Sequence, residues 1–231
     1  DITHKCSLTR LFMEDREFSH NDSIYGVLEH NNTLEQDVNI LHTSIEGIDI
    51  IAGHSDLENL SGFQYEMSLR EKVSNLGDRY DHVFIDTANH GILINIAICS
   101  SEFVMVVAKP SKDSLYGAIM AIERVRGLDA KYSISTGVLE GILNQYKKGK
   151  DTSERCLTEL MGQGDSASRF MYLSQYFWKE VLEGSELPSH VVQYSDLICK
   201  LQFNNKNMGI FWSWLATSKQ LKRIAEDLFM N

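Results

Sequence analysis

The stretch from Tyr80 to Pro110 constrains the fold most, because it holds two continuous apolar runs with a helical pattern between them. The first run, Val83 to Ile85, ends in Asp86, and the second is Phe103 to Ala108. Between them, Ile92 to Cys99 is apolar and long enough for a helix. Continuous rather than alternating apolar strands are typical of a parallel sheet that is buried on both faces. The pattern therefore predicts the centre of an α/β domain.

Four strands are predicted to lie in one mostly parallel sheet with helices on both faces, centred on Ile50, Phe84, Val106 and Ile142. The helices predicted between these strands repeat apolar residues every three or four positions and span residues 65–76, 92–99 and 114–127. Gly127 is predicted to end the last of these helices as its C-cap.

Two further helices are predicted after the sheet. An aromatic-rich helical insertion lies near residues 163–186, and a long amphipathic helix spans residues 207–230. An aromatic stripe at helical spacing packs either in the core or against a partner, and the sequence leaves both interpretations open. All these elements are assigned to a single domain, residues 1–231, whose 43% hydrophobic content is sufficient for a core.

The cysteines and histidines show no spacing typical of a metal site or a disulfide framework. The eight histidines form no H-x-x-x-H pair, and there is no C-x-x-C pair among the four cysteines Cys6, Cys99, Cys156 and Cys199. We therefore expect reduced thiols, and histidines that serve as surface or turn residues. No run of 18 apolar residues and no secretory leader is present, so we expect no membrane span and a cytoplasmic location.

The formal net charge of −10 argues against a protein that binds nucleic acid through its whole surface, because Lys and Arg must neutralise the phosphates. A local patch is compatible with this charge. Five basic residues fall near the end of the chain: Lys200, Lys206, Lys219, Lys222 and Arg223. For the last three, a solvated helix face is the alternative interpretation.

The arrangement around Asp86 resembles the ParA/MinD family of deviant P-loop ATPases. In that family an apolar strand ends in an Asp, a Pro-rich switch loop follows, a helix carries an Asn, and a strand ends near a Pro. Asp86, Asn95 and Pro110 occupy those positions, whereas Ala88-Asn89 replaces the usual Pro pair. The resemblance extends over nearly the whole chain and implies a P-loop NTPase fold, a Rossmann-like three-layer sandwich.

The first residues, DITHKCSLTRLF, resemble the family segment D-x-D-P-Q-x-S-L-T. Asp1 and Thr9 fit that segment, and Thr3 stands where the family has a second Asp that helps to position the attacking water. The resemblance implies that Asp1 and Asp86 are catalytic and lie near Mg and water, and that Asp86 also contacts the metal and the cofactor.

Two later positions are candidates for contacts with ATP. Asn144 follows a predicted strand, where the resemblance implies an Asn that hydrogen-bonds the adenine; an ordinary turn residue is the alternative. The loop from Lys147 to Lys150 is basic, and it either meets a phosphate or is simply solvated.

The glycine-rich phosphate loop of the family does not occur in these 231 residues. No G-x-x-x-x-G-K-S/T motif or its deviant form with two lysines is found, and by resemblance this loop and the first strand would precede Asp1. Because the loop supplies most of the contacts to the phosphates, we expect this chain alone to bind Mg-ATP weakly and to be inactive.

Two functions from different classes follow. By resemblance, the protein is a ParA-like partition ATPase: ATP drives formation of a homodimer that binds DNA without sequence preference, a ParB-like adaptor stimulates hydrolysis, and the protein associates with the nucleoid. The alternative is a pseudo-ATPase, a binding or scaffold module that keeps the fold for dimerisation or partner docking. The departures at Thr3 and at Ala88-Asn89-His90 favour this alternative.

Overall fold

The computed structural model describes residues 1–13, 16–29, 39–77, 79–88, 91–147, 149–160 and 191–193. The chain divides into two compact units, of which the first comprises Asp1–Glu102 and Leu128–Thr136, and the second comprises Phe103–Gly127 and Gly137–Asn231. Each unit has its own cluster of buried apolar side chains. The predicted insertion at 163–186, the predicted helix at 207–230 and the five basic residues near the end of the chain lie outside the described residues.

The first unit is built from short elements. Its helices and strands are α1 (Ser7–Met13), α2 (Ile24–Glu29), β1 (Leu41–His42), β2 (Asp49–Ile50), α3 (Arg70–Ser74) and α4 (Gly91–Ser100). Two 3-10 helices, Ser55–Asn59 and Phe63–Tyr65, lie between β2 and α3. The predicted helix 92–99 is confirmed as α4. A single helix over 65–76 is not observed, because only α3 within that range is α-helical.

The core of the first unit forms around α4. This helix is apolar on every side and buries most of its residues, as a helix without a polar face must. Ile96 of α4 packs in one cluster with Ile2, with Val27 of α2 and with Leu57 of the first 3-10 helix. Burial of each such side chain contributes about 1.5–3 kcal/mol to stability.

The second unit contains a parallel three-stranded sheet in the order β3-β4-β5. Its strands are β3 (Phe103–Ala108), β4 (Gly137–Tyr146) and β5 (Val191–Gln193), and its helices are α5 (Lys112–Tyr132, of which residues up to Gly127 belong here) and α6 (Asp151–Leu160). Alternate residues of β3 face the core, where Val106 packs with Leu115 and Ile122 of α5. The strands predicted at Val106 and Ile142 are thus confirmed as parallel neighbours.

The predicted strand at Phe84 is not formed. Residues 81–86 have no strand assignment, and the segment makes an isolated parallel bridge between Ile2 and Thr87. Val83 is 42% exposed and Phe84 is 69% exposed, so this run is not a strand buried on both faces. A buried parallel strand needs a ladder of partners and two covered faces, which an isolated bridge does not provide.

The strand at Ile50 is short and lies outside the parallel sheet. It pairs antiparallel with β1, with Leu41 opposite Ile50. The intervening turn explains the direction: Gly47 has a φ of 79°, and Thr43 Oγ1 donates a hydrogen bond to the carbonyl of Ile48 at 2.8 Å. A turn of this length returns the chain as a hairpin, which makes an antiparallel pair.

Gly127 does not end α5. The helix continues to Tyr132, and the buried side chains of Val125 and Leu128 offset the roughly 1 kcal/mol that a glycine costs inside a helix. The end is at Ser133, whose φ of 53° is left-handed, and the N–H of Ile134 donates to the carbonyl of Asp129 at 3.2 Å. This is the Schellman arrangement with a serine where glycine is the common residue.

Among the helices that the structure describes, none combines the length and the apolar character that a crossing of the bilayer requires.

Candidate functional site

The carboxylate of Asp1 is buried and accepts four hydrogen bonds. Its Oδ1 accepts from the N–H and the Oγ1 of Thr3 at 3.0 and 2.7 Å, and its Oδ2 accepts from the N–H and the Oγ1 of Thr9 at 2.9 and 2.9 Å. Thr9 lies in the first turn of α1, where a negative charge is favourable. Both oxygens of Asp1 therefore hold the start of α1 in place.

Thr9 also connects Asp1 to the segment after β2. Its Oγ1 accepts a hydrogen bond from the N–H of Gly53 at 2.8 Å while it donates to Asp1. A Cβ at position 53 would lie 3.1 Å from Cγ of Asp1 and 3.2 Å from its carbonyl oxygen. A side chain at position 53 would therefore require Asp1 to shift by a few tenths of an ångström.

The structure brings Asp86 to the segment that carries Asp1. The carbonyl of Asp86 accepts a hydrogen bond from the N–H of Ile2 at 2.8 Å, next to the bridge between Ile2 and Thr87. Asp86 is only partly buried. Two of the predicted site residues, Asp1 and Asp86, thus lie on adjacent segments of the first unit, and their catalytic roles stay predictions.

Asn144 belongs to the second unit. It is near the end of β4, and its Oδ1 accepts a hydrogen bond from the N–H of Gln145 at 2.8 Å. Gln145 has a φ of 62°, and the pairing of β4 with β5 is irregular between Asn144 and Tyr146. This local bond fits the interpretation of Asn144 as a turn residue, whereas contact with adenine stays a prediction.

The basic loop after β4 is closed by an acid rather than left open. The N–H of Gly149 donates to Oε1 of Glu154 at 2.8 Å, and the N–H of Lys147 donates to Oγ of Ser153 at 3.3 Å. Burial and a hydrogen bond with the same Glu154 raise the pKa of Tyr146 to about 12. The N–H of Gly149, which a phosphate would need as a hydrogen-bond donor, already donates to the carboxylate of Glu154. This loop is therefore a poor phosphate site.

A buried carboxylate that the sequence did not reveal lies at Glu66. Its side chain is only 1% exposed and accepts hydrogen bonds from Asn95 Nδ2 at 2.6 Å, from Lys131 Nζ at 2.6 Å and from the hydroxyl of Tyr132. Burial raises the pKa of Glu66, but the hydrogen bonds from Lys131, Tyr132 and Asn95 outweigh it, so the net pKa lies below the ordinary value.

Asn95, which matches an Asn of the family pattern, therefore has a structural contact. It links α4 to the buried acid, and its Oδ1 is buried without a hydrogen-bond partner among the described residues. No sequence pattern reveals the cluster, because the partners of Glu66 lie 29 to 66 residues away along the chain.

The residues of the chain meet only part of what Mg-ATP requires. Asp86 offers the oxygen ligand that Mg²⁺ prefers. The oxygens of Asp1 already accept from four protein donors, and the 231 residues contain no glycine-rich phosphate loop. These residues do not make a complete Mg-ATP site.

Comparison with known proteins identifies the family. The family model AAA_31, an AAA domain, matches residues 5–135. The uncharacterized protein MJECL24 of Methanocaldococcus jannaschii is 22% identical over 149 residues, which cover 60% of this chain and 57% of that protein. The chain thus matches a little over half the length of this curated relative.

Solved structures with the same fold extend over almost the whole chain. McdA of Cyanothece, in its apo form, aligns with a TM-score of 0.73 at 13% identity over 99% of this chain and 85% of its own. A putative plasmid partition protein of Borrelia burgdorferi bound to AMPPNP aligns with a TM-score of 0.67 at 16% identity, covering 100% and 83%.

MinD of Pyrococcus horikoshii, in complex with Mg-ADP, aligns with a TM-score of 0.63 at 16% identity over 99% of this chain and 80% of its own. Identities this low establish the fold, and the family match covers more than half of the chain. The predicted α/β class with a parallel sheet is thereby confirmed. The chain belongs to the AAA_31 family of AAA domains, and it has the fold of the ParA/MinD-type P-loop ATPases.

Proposed function

We propose that the protein is a ParA-like partition or positioning ATPase, whose nucleotide state controls dimerisation and non-specific DNA binding. The observation that carries the proposal is the family match over residues 5–135, joined to a fold shared with partition proteins along the whole chain. Related structures were solved with AMPPNP and with Mg-ADP, which supports a nucleotide and Mg²⁺ as the ligands of the intact protein.

Within this proposal, Asp86 is the residue of the chain that binds Mg²⁺. It follows residues 81–85 and is only partly buried, which supports access by a cation. Asp1 acts with it near the reacting water by holding the start of α1 through Thr9. Asn144 contacts the adenine. The phosphate loop must be supplied by residues other than these 231.

The nucleotide proposal is tested by calorimetry with Mg-ATP on two proteins. One is the 231-residue chain, and the other is the full-length product of its gene. We expect little heat from the first and micromolar binding by the second. Asp86→Asn in the full-length product should weaken binding in Mg²⁺ but not in EDTA. Micromolar binding by the 231-residue chain would show that these residues hold a phosphate site of their own, whereas the absence of binding by the full-length product would contradict the proposal.

The DNA surface is proposed from five basic residues, which lie outside the described residues: Lys200, Lys206, Lys219, Lys222 and Arg223. Each phosphate contact contributes about 0.9 to the slope of log affinity against log salt. Changing Lys219, Lys222 and Arg223 together to Glu in the ATP-loaded protein should therefore lower that slope by about 3.

A control of equal charge separates a local patch from net charge. Lys5, Lys112 and Arg124 are exposed and can be changed to Glu in the same way. If both triple variants weaken low-salt DNA binding equally, the patch is excluded.

A homodimer and a ParB-like adaptor are the partners that this function requires, and sedimentation with and without ATP tests the dimer.

A pseudo-ATPase that serves as a binding module is the second candidate. It is favoured by Thr3, which stands where the family has a second Asp and instead donates its hydroxyl to Asp1 at 2.7 Å. The two functions differ in phosphate release: a partition ATPase hydrolyses ATP faster when DNA and the adaptor are added, whereas a pseudo-ATPase does not hydrolyse it.

A further inference from the structure

Two histidines and an aspartate converge in the first unit. Nε2 of His20 lies 2.6 Å from Oδ2 of Asp56, and Nδ1 of His54 lies 3.8 Å from the same oxygen. One ligand atom from each of the three side chains falls within 4.8 Å of the others. The residues are 34 and 2 positions apart along the chain, so no local spacing of histidines indicates the cluster.

The backbone fixes two of these side chains at their positions. His54 precedes the 3-10 helix Ser55–Asn59 and caps it, because its Nδ1 accepts a hydrogen bond from the N–H of Asp56 at 3.2 Å. The carbonyl of His20 accepts from the N–H of Gly26 at 2.9 Å, and a Cβ at position 26 would meet that carbonyl oxygen at 2.5 Å. Gly26 therefore permits the turn that holds His20 beside the 3-10 helix.

The aromatic rings around His20 restrict its orientation further. Its ring stacks on Tyr25 at 4.6 Å between centroids and lies 4.4 Å from the ring of His54. Water still reaches the group, since the side chains of His20 and Asp56 are 50% and 44% exposed, whereas that of His54 is 17% exposed. The cluster thus combines fixed ligands with an open side.

We propose that His20, His54 and Asp56 bind a divalent first-row transition-metal ion, with Zn²⁺ as the ion that fits this donor set. Two imidazole nitrogens and one carboxylate suit Zn²⁺ and Co²⁺, whereas Mg²⁺ prefers oxygen ligands. In a tetrahedral zinc site with bonds of about 2.0–2.1 Å, neighbouring ligand atoms lie about 3.3 Å apart. The observed separations of 2.6 and 3.8 Å lie on either side of that value.

Binding requires small side-chain movements that the cluster permits. The ion replaces the hydrogen bond between His20 and Asp56, and His54 binds either through Nδ1, giving up the N–H of Asp56, or through Nε2 after rotation of its ring. Three protein ligands leave the fourth position to water on the open side. The ion then joins the turn before α2 to the 3-10 helix.

The competing explanation for the cluster is an ordinary hydrogen bond between His20 and Asp56 that binds no metal. The first unit contains a second histidine–aspartate pair that serves as a comparison. Nδ1 of His42 lies 2.7 Å from Oδ1 of Asp49, and the hydroxyl of Tyr80 donates to the other oxygen of Asp49 at 2.7 Å. The described residues bring no third metal ligand to this pair. His42→Ala is therefore the control for loss of a histidine from a bonded pair.

The test is a Co²⁺ titration of the intact, tag-free protein after treatment with a chelator, followed by visible absorption, with Zn²⁺ displacement as the second step. We expect one ion per chain. Because loss of even an outer partner of a metal ligand weakens binding about 10–100-fold, His20→Ala and Asp56→Asn should each weaken it by at least about tenfold. His42→Ala should leave the affinity unchanged, and far-ultraviolet circular dichroism checks the fold of each variant.

Each result decides the proposal. Saturation at one ion that depends on both His20 and Asp56 supports it. Binding that persists in Asp56→Asn, or that falls equally in His42→Ala, places the ion elsewhere and overturns it, as does a wild-type protein that takes up no Co²⁺ at micromolar concentrations. If His20→Ala fails to fold, His20→Gln with Asp56→Asn gives the same decision.

Discussion

Nζ of Lys131, at the end of α5, lies 2.6 Å from Oε2 of Glu66, a carboxylate that is only 1% exposed. With Tyr132 on the same oxygen and Asn95 on the other, this ion pair joins α5, α4 and the segment before α3. A buried charge is tolerated only when its hydrogen bonds are satisfied. The stability of the first unit should therefore depend strongly on Glu66.

Glu66→Gln should lower the free energy of unfolding by about 2–3 kcal/mol. The neutral amide keeps the shape, but it loses the charge-assisted bonds, and its NH₂ group faces donors instead of an acceptor. Urea denaturation measures the change, and Glu58→Gln, on the exposed side of the 3-10 helix, is the matched control. Equal free energies of unfolding for the two variants would show that the cluster contributes nothing.

The contribution of Glu66 should also depend on pH. Its pKa is below the ordinary value of 4.5 in the folded protein, so folding favours the ionised form. That stability is fully present above about pH 4.5 and is lost as the pH falls through the lower folded value. The difference in unfolding free energy between wild type and Glu66→Gln should therefore shrink below pH 4.5 and stay constant between pH 6 and 7. A difference that grows with acid would reverse this sign.

The end of α5 offers a stabilising substitution. Ser133 adopts a φ of 53°, which strains any residue with a Cβ, and it is exposed. Ser133→Gly should raise the free energy of unfolding by about 0.5–1 kcal/mol, since relief of strain exceeds the added freedom of the unfolded chain. Ser133→Ala keeps the strain and should give no gain in thermal or urea denaturation. A gain in both variants would trace the effect to the serine hydroxyl instead.

The sequence predicted the elements whose signal is local. The apolar run of α4 and the strands at Val106 and Ile142 each bury a face that their own residues define, and all three were predicted. The run at Phe84 has the same apolar composition, but strand formation depends on partners that local pattern does not encode. The end of α5 was misplaced because burial of Leu128 outweighed the signal of Gly127.

The candidate sites also differ in whether the sequence could indicate them. Asp86 was predicted from a family pattern; its carbonyl accepts a hydrogen bond from the N–H of Ile2, and its role at a site stays a prediction. The clusters at Glu66 and at Asp56 were missed, since each forms from residues brought together by tertiary folding. Isolated histidines in the sequence gave no metal pattern, although His20 and His54 lie 4.4 Å apart between ring centroids.

The hydroxyl of Thr9 joins the segment of Asp1, a predicted catalytic residue, to the segment of Gly53. Its Oγ1 donates to Asp1 at 2.9 Å and accepts from the N–H of Gly53 at 2.8 Å. Thr9→Val keeps the shape but leaves a buried N–H without its acceptor and removes one donor from a buried carboxylate, which should lower the free energy of unfolding by about 2–3 kcal/mol. The exposed Thr152→Val should change it by less than about 0.5 kcal/mol in the same urea titration. Equal, small effects would mean that water replaces the hydroxyl, and that Asp1 is not held through Thr9.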